Sequence, residues 1–303
     1  MRILVTGGAG FIGSHVVDAY LAAGHEVDVV DNLATGRRAN VPKGARLHEV
    51  DIHGRELERI FADFRPEVVN HHAAQASVKV GTADPVRDLE VNGGGTARLV
   101  QLAVQHGARK VIYASSGGTV YGEPEALPVT EEHPIAPRSN YGTSKYAGEL
   151  YVQKAARTDG IDFTIFRYGN AFGPRQDPHG EAGVVAIFTG LMLRGQQCTI
   201  DGDGDQKKDY IYVGDIARAN VLALSAGPGL VANIGTGEGI TVNRIFQVLS
   251  EATGNTIEPN SGPARVGDVR YFWLDCSRAK RELGWEPQVA FEDGVRLTVE
   301  SLQ

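Results

Sequence analysis

Cysteine is scarce in this 303-residue chain: Cys198 and Cys276 are the two present, and their separation forms no disulfide framework. Long apolar runs are missing as well. Met1-Arg2 passes straight into Ile3-Leu4-Val5, with no charged leader ahead of an apolar stretch. A protein of the reducing cytoplasm is therefore expected. Clustered positive charge is also lacking. The formal net charge is −7 and no basic run interrupts the sequence, which argues against a nucleic-acid partner. An anionic small substrate would need cations supplied locally. No internal repeat, low-complexity segment, hydrolase nucleophile elbow or Ser-His-Asp order stands out.

What is present is the balance of a folded globular protein, 42% hydrophobic and 22% charged. Ile3 to Val5, Val27 to Val30, Val68 to Asn70 and Val111 to Tyr113 read as buried strands, each followed by an amphipathic stretch. Val16, Val17, Tyr20 and Leu21 recur at helical spacing after the first strand, and Thr164 to Phe166 reads as a further strand. This alternation predicts an α/β fold, a doubly wound parallel Rossmann sheet with helices on both faces. After about residue 170 the pattern loosens into Gly- and Asp-rich loops, with short strands near Ile211 and Ile234. We expect a dinucleotide-binding domain over residues 1–170, to which later segments return, and a smaller substrate-binding lobe over 171–303.

The segment Thr6-Gly7-Gly8-Ala9-Gly10-Phe11-Ile12-Gly13 follows the first strand and opens the first helix. Gly7 suits a tight turn, Gly10 a close backbone approach to pyrophosphate, and Gly13 close helix–strand packing. The helix start then offers free N–H groups to phosphate oxygens. Asp31 ends the second strand at about the twenty-residue distance expected of a ribose-binding acid. A carboxylate there suits two ribose hydroxyls and repels a 2′-phosphate, so NAD is expected rather than NADP. Arg37 and Arg38 lie close behind and would soften that preference.

Tyr141-Gly142-Thr143-Ser144-Lys145 sets a phenol and an ammonium four residues apart, on one face of a helix. A neighbouring cation favours the phenolate, which makes Tyr141 a candidate base toward a hydroxyl. The pair could equally sit exposed on a helix; the upstream turn and Asp31 favour the catalytic reading.

With these pieces the chain resembles the extended short-chain dehydrogenase/reductase superfamily, and within it the UDP-glucose 4-epimerase-like group. The resemblance spans nearly the whole sequence. It rests also on Asp31-Asn32-Leu33, His72-Ala73-Ala74, Val91-Asn92, Ser115 to Gly122, Arg167-Tyr168-Gly169-Asn170, Asp209-Tyr210-Ile211-Tyr212-Val213 and Arg265-Val266-Gly267-Asp268. It implies a seven-stranded Rossmann sheet, a nucleotide-sugar lobe, and homodimers formed through two helices of each subunit. It implies that Gly7, Gly10, Phe11, Ile12, Gly13, Asp31 and Asn32 hold the cofactor, with Asp51 and Ile52 flanking the adenine. Ala73, Ala74, Asn92 and Ser115 would line the cofactor channel, while Lys145 and Tyr168 would hold the nicotinamide end. Asn170, Lys208, Arg265 and Asp268 would contact the sugar nucleotide. Position 208 carries Arg in many relatives; Lys keeps the charge and loses the bidentate fork. Phe272 stands where relatives carry a residue gating sugar size, or else packs in the lobe's core.

The implied reaction is 4-epimerisation of a UDP-hexose. Tyr141 removes the 4-hydroxyl proton as hydride leaves C4, and the 4-keto sugar turns over before both return. One departure stands out. Relatives place Ser or Thr four residues before Tyr121; here that position is Gly117, and Ser116 is the adjacent hydroxyl expected to serve. Dehydratases and decarboxylases of the superfamily carry an acid in this stretch, and Gly117-Gly118-Thr119-Val120 has none. Other readings are an epimerase of another UDP-sugar (N-acetylglucosamine, glucuronate or a pentose) and a non-catalytic NAD-binding regulator. His71 and His72 point to opposite faces of a strand and make a poor metal pair. Asp201, Asp203 and Asp205 imitate a calcium loop, but Gln206 and Tyr212 occupy positions that need Gly and Glu.

Overall fold

A computed structural model describes residues 1–179, 183–264 and 269–303. Its centre is a seven-stranded sheet. The strands are β1 (Arg2–Thr6), β2 (Glu26–Asp31), β3 (Arg46–Glu49), β4 (Val68–His71), β5 (Lys110–Ser116), β6 (Asp162–Tyr168) and the strand Leu230–Ile234. Across the sheet the order is Leu230–Ile234, β6, β5, β4, β1, β2, β3, and every pairing is parallel. Chain direction across the sheet reverses between β1 and β4, which opens a crevice beyond their carboxyl ends.

Residue alternation builds a core on each face. Ile3, Val5, Val27, Val29 and Ile112 join Val16, Val17 and Tyr20 of the helix Phe11–Ala22. Leu4, Val30, Val69, Val111 and Tyr113 join Leu57, Ile60, Leu99 and Val152 from helices on the other side. The two-residue period of a strand sends neighbours to opposite cores, so both faces must be covered by helices. β3, with sequence Arg-Leu-His-Glu, is the strand that apolar patterning does not announce. It lies at the sheet edge, where solvent replaces one neighbour and apolar content is not required.

The second half contributes to both regions. Leu230–Ile234 pairs with β6, and the helix Val213–Ala223 packs against Phe11–Ala22. Phe172, Val185, Phe188, Ile245, Leu249, Phe291 and Val295 form a separate apolar cluster. Above the sheet, Asn170–Phe172 pairs with Tyr210–Tyr212, and Lys207–Lys208 lies between Ile240–Thr241 and Tyr271–Phe272.

Candidate active site

The glycine turn is shaped for a ligand with close backbone contact. Gly7 has φ +69°, and a Cβ there would stand 2.5 Å from the Ala73 nitrogen. A Cβ on Gly13 would stand 2.2 Å from the Gly7 carbonyl oxygen, so that position admits only hydrogen. Gly10 caps the helix Phe11–Ala22 in an extended conformation, without a side chain on the first N–H groups. Those donors stay available to an anion, with the helix dipole behind them.

Asp31 closes β2, 8% exposed. Its Oδ2 accepts the Ala9 N–H at 2.9 Å and its Oδ1 the Leu33 N–H at 2.8 Å, which ties the carboxylate to the glycine turn. Asn32 donates to Asp51 at 2.8 Å, and the His53 N–H also donates to Asp51 at 2.8 Å. Burial works against ionisation of Asp51, but these donors prevail and hold it below the ordinary carboxylate value. Ile52 is buried in the core beneath. Arg37 and Arg38 are turned to Asp177 and Glu49. These residues fit a dinucleotide: a cradle that a Cβ would fill, open helix donors, and an acid at the ribose position.

Beyond β4, Ala73 and Ala74 pass beside the turn, and the Ala73 N–H donates to Thr6 Oγ1 at 3.3 Å. His71 sits in the core with Thr6 at 2.6 Å and Thr96 at 3.0 Å from its two nitrogens. His72 stacks on Tyr168 with centroids 6.1 Å apart, and its Nδ1 has no partner. Burial and the Lys145 cation press the His72 imidazole down to about 3, so it stays neutral. The Tyr168 hydroxyl accepts from Asn220 at 2.9 Å. Asn92 is fully engaged: it donates to the Gln75 carbonyl at 3.0 Å and Ser144 at 2.9 Å, and accepts the Gln75 N–H at 2.9 Å.

Tyr141 and Lys145 lie on the helix Asn140–Asp159, capped by Ser139, whose hydroxyl accepts the Gly142 N–H at 3.0 Å. A Cβ on Gly142 would stand 2.5 Å from the Thr119 carbonyl oxygen, so this glycine lets the helix approach the loop after β5. Lys145 is 2% exposed with its Nζ 4.4 Å from the Tyr113 ring centroid. Burial pushes the ammonium down to about 7 against the pull of Glu149 and Asp88. Burial and the Asp88 charge push the Tyr141 phenol up to about 12, while a hydrogen bond with Ser116 lowers it. In the protein alone, desolvation thus outweighs the cationic help expected from Lys145.

Ser116 ends β5 and hydrogen-bonds Tyr141. At the next position, Gly117, a Cβ would lie 3.0 Å from Leu274 and 3.2 Å from the Arg167 carbonyl oxygen, a tight fit. Ser115 is buried and donates to Glu149 at 2.5 Å. Asn170 donates to the Asp209 carbonyl at 3.0 Å and remains exposed. Lys208 donates to the Val269 carbonyl. Arg265 and Asp268 lie outside the described residues. Phe272 is 2% exposed, packed with Val120, Tyr121 and Leu274, which is the core-packing alternative.

The sequence reading missed Asp88 and Glu149. Asp88 is fully buried and accepts from Ser144 and from Gln75, each at 2.5 Å. Nothing in its local sequence marks it. Glu149 continues the four-residue stripe from Tyr141 through Lys145, and that spacing was the available signal.

Residues 3–235 match the model of the NAD dependent epimerase/dehydratase family. UDP-glucose 4-epimerase of Mycolicibacterium smegmatis is 44% identical over 306 residues, covering 99% of this chain and 98% of that protein. Among solved structures, UDP-glucose 4-epimerase of Thermotoga maritima with UDP-glucose superposes with TM-score 0.97 at 50% identity, covering 100% of this chain and 98% of that one. The Thermus thermophilus UDP-glucose 4-epimerase complex with NAD gives TM-score 0.94 at 48% identity, covering 99% and 98%.

Proposed function

The chain belongs to the NAD dependent epimerase/dehydratase family, and from that premise we propose that it interconverts UDP-glucose and UDP-galactose by inverting the sugar C4. The observation that carries the reading is the half-buried Tyr141 hydrogen-bonded to Ser116, on the same helix as Lys145. The chemistry that NAD supplies when bound is reversible hydride acceptance from C4. Tyr141 takes the 4-hydroxyl proton and returns it after the 4-keto sugar has turned over. Ser116 holds the sugar 4-oxygen against the phenol. Lys145, as a cation on the same helix, would favour the phenolate of Tyr141 against the burial that keeps it protonated. Asp31 would take the adenosine ribose hydroxyls, the Gly10–Gly13 turn would take the pyrophosphate, and Tyr168 would flank the nicotinamide end.

For the substrate, Asn170 and Lys208 stand above the sheet, and Arg265 and Asp268 follow from the family pattern as contacts for the diphosphate and uridine. Phe272 packs against Tyr121 and Leu274, and we assign no sugar-size preference to its ring. A homodimer is supported by Val86, Leu89, Leu150 and Tyr151, which are exposed by 45–66% on two helices that pack on each other. A cytoplasmic setting is supported by two free cysteines, and no helix among the described residues is long and apolar enough to cross a membrane.

The test is turnover of UDP-galactose by the purified protein, with products separated chromatographically. UDP-glucose should appear, at equal final ratios from either direction. Bound NAD without turnover of any of several UDP-sugars would overturn the catalytic reading.

A further inference from the structure

Below the reacting groups, one buried polar chain joins the helix Asn140–Asp159 to three strands. Glu149 is fully buried, one turn beyond Lys145 and two beyond Tyr141. Its Oε1 accepts from Ser115 at 2.5 Å and from Arg167 Nε at 3.0 Å, and its Oε2 accepts from Arg167 Nη2 at 2.6 Å. Arg167 also donates to the Tyr121 hydroxyl at 3.0 Å, and that hydroxyl donates to Asn233 at 2.7 Å. Ser115, Arg167 and Asn233 are direct cross-strand partners on β5, β6 and the strand Leu230–Ile234. The next row, one residue on, contains Ser116 opposite Tyr168.

A buried ion pair is weak evidence of stabilisation, because apolar residues could fill the same space at no greater cost. Its geometry here serves something more specific. The fork of Arg167 grips both oxygens of Glu149, which fixes the helix in rotation and height against β5 and β6. Those strand ends carry Ser116 and Tyr168. Resting on the epimerase reading above, we propose that Glu149 is a positioning residue: it sets Tyr141 and Lys145 in register with Ser116 and the nicotinamide site.

The same carboxylate lies close enough to Lys145 to sustain its charge. Burial is the largest influence on that ammonium, and Glu149 and Asp88 oppose it. The other titratable groups facing Lys145 are His71 and His72 at the end of β4, Tyr113 on β5 and Tyr141 on its own helix. Both histidines are held well down by burial, and Tyr113 and Tyr141 are held up, so none changes charge near neutrality. Removing the Glu149 charge should therefore move the Lys145 titration to lower pH, by about one unit for one lost neighbouring charge.

The experiment compares the NAD-bound wild type with Glu149→Gln and with the double variant Glu149→Gln/Arg167→Met. Readouts are the pH profile of kcat, KM, melting temperature and the NMR titration of [13C]lysine-labelled protein, with Lys145 assigned through Lys145→Met. Glu149→Gln should lower kcat by about ten- to a hundredfold with KM little changed, and its alkaline limb should move to lower pH with the Lys145 midpoint. The double variant removes the orphaned guanidinium, so it should regain melting temperature and recover part of the midpoint displacement, because a like charge near Lys145 is gone, while kcat stays low. Return of kcat to the wild-type value in the double variant would overturn the proposal and leave Glu149 as a stability partner only. If wild-type protein turns over no UDP-sugar, the epimerase reading fails, while the Lys145 midpoint still judges Glu149.

Discussion

Lys110 and Lys145 are both buried, near opposite ends of the same sheet, and burial presses both ammoniums down, but their partners differ. Lys110 opens β5 fully buried, 3.0 Å from Asp162 and 3.2 Å from the Ala226 carbonyl oxygen. Lys145 is 2% exposed and, among the described residues, makes no ion pair; a tyrosine ring and two more distant carboxylates are its company. At the amino-terminal edge of the sheet the chain partly compensates its buried charge with Asp162. At the carboxyl edge it leaves the charge under strain, where it responds to whatever enters the crevice. Uncompensated burial of a titratable group is expensive, and it is retained where the group has chemistry to perform.

The comparison breaks most sharply at Tyr141. Tyr141→Phe should lower turnover of UDP-galactose by on the order of a thousandfold or more, within the range of general acid–base catalysis. Melting temperature and copurified NAD should be unchanged; retained turnover would remove the phenol from the reaction. Ser116→Ala should follow with a loss of roughly a hundredfold, about 3 kcal/mol of barrier. A loss of only a few-fold would show that Tyr141 reaches the sugar without a hydroxyl relay.

The paired lysines sharpen the contrast in stability. Lys110→Met strands Asp162, which is partly solvated, and should cost about 1–2 kcal/mol by denaturant unfolding while kcat stays put. Lys145→Met removes a charge that burial disfavours, so it should lower turnover without lowering stability. The pH dependence separates them further. Folding depresses the Lys145 pKa from 10.5 to about 7. Between those values the unfolded chain holds more protons, so this group makes apoprotein stability rise as pH rises through that window. Lys145→Met should flatten that rise by on the order of 1–3 kcal/mol, measured as unfolding free energy at about pH 7 and about pH 9.5, inside the window that linkage sets. An unchanged slope would place the Lys145 titration elsewhere.

The smallest effect belongs to the adenosine end. NAD should copurify and NADP should bind far more weakly. Asp31→Ala should narrow that preference by about tenfold, the worth of one charged hydrogen bond. Equal affinities in the wild type would refute the ribose role of Asp31.

By itself the sequence determined the alternating βα order, the glycine turn, Asp31 and the Tyr141–Lys145 pair. These are local signals: strand period, turn chemistry and helix spacing are written within about twenty residues of one another. Ser116 could be singled out too, because it adjoins the empty Gly117 position. Tertiary structure alone decided the rest. β3 carries no apolar period because an edge strand needs none. Phe272 goes to the core because Tyr121 and Leu274 meet it there. Asp88 and Glu149 read as ordinary helix-surface acids until the helix Asn140–Asp159 docks and removes their water. Burial then turns a solvated charge into a constraint on every titratable neighbour, and burial depends on what the distant half of the chain brings to the same place.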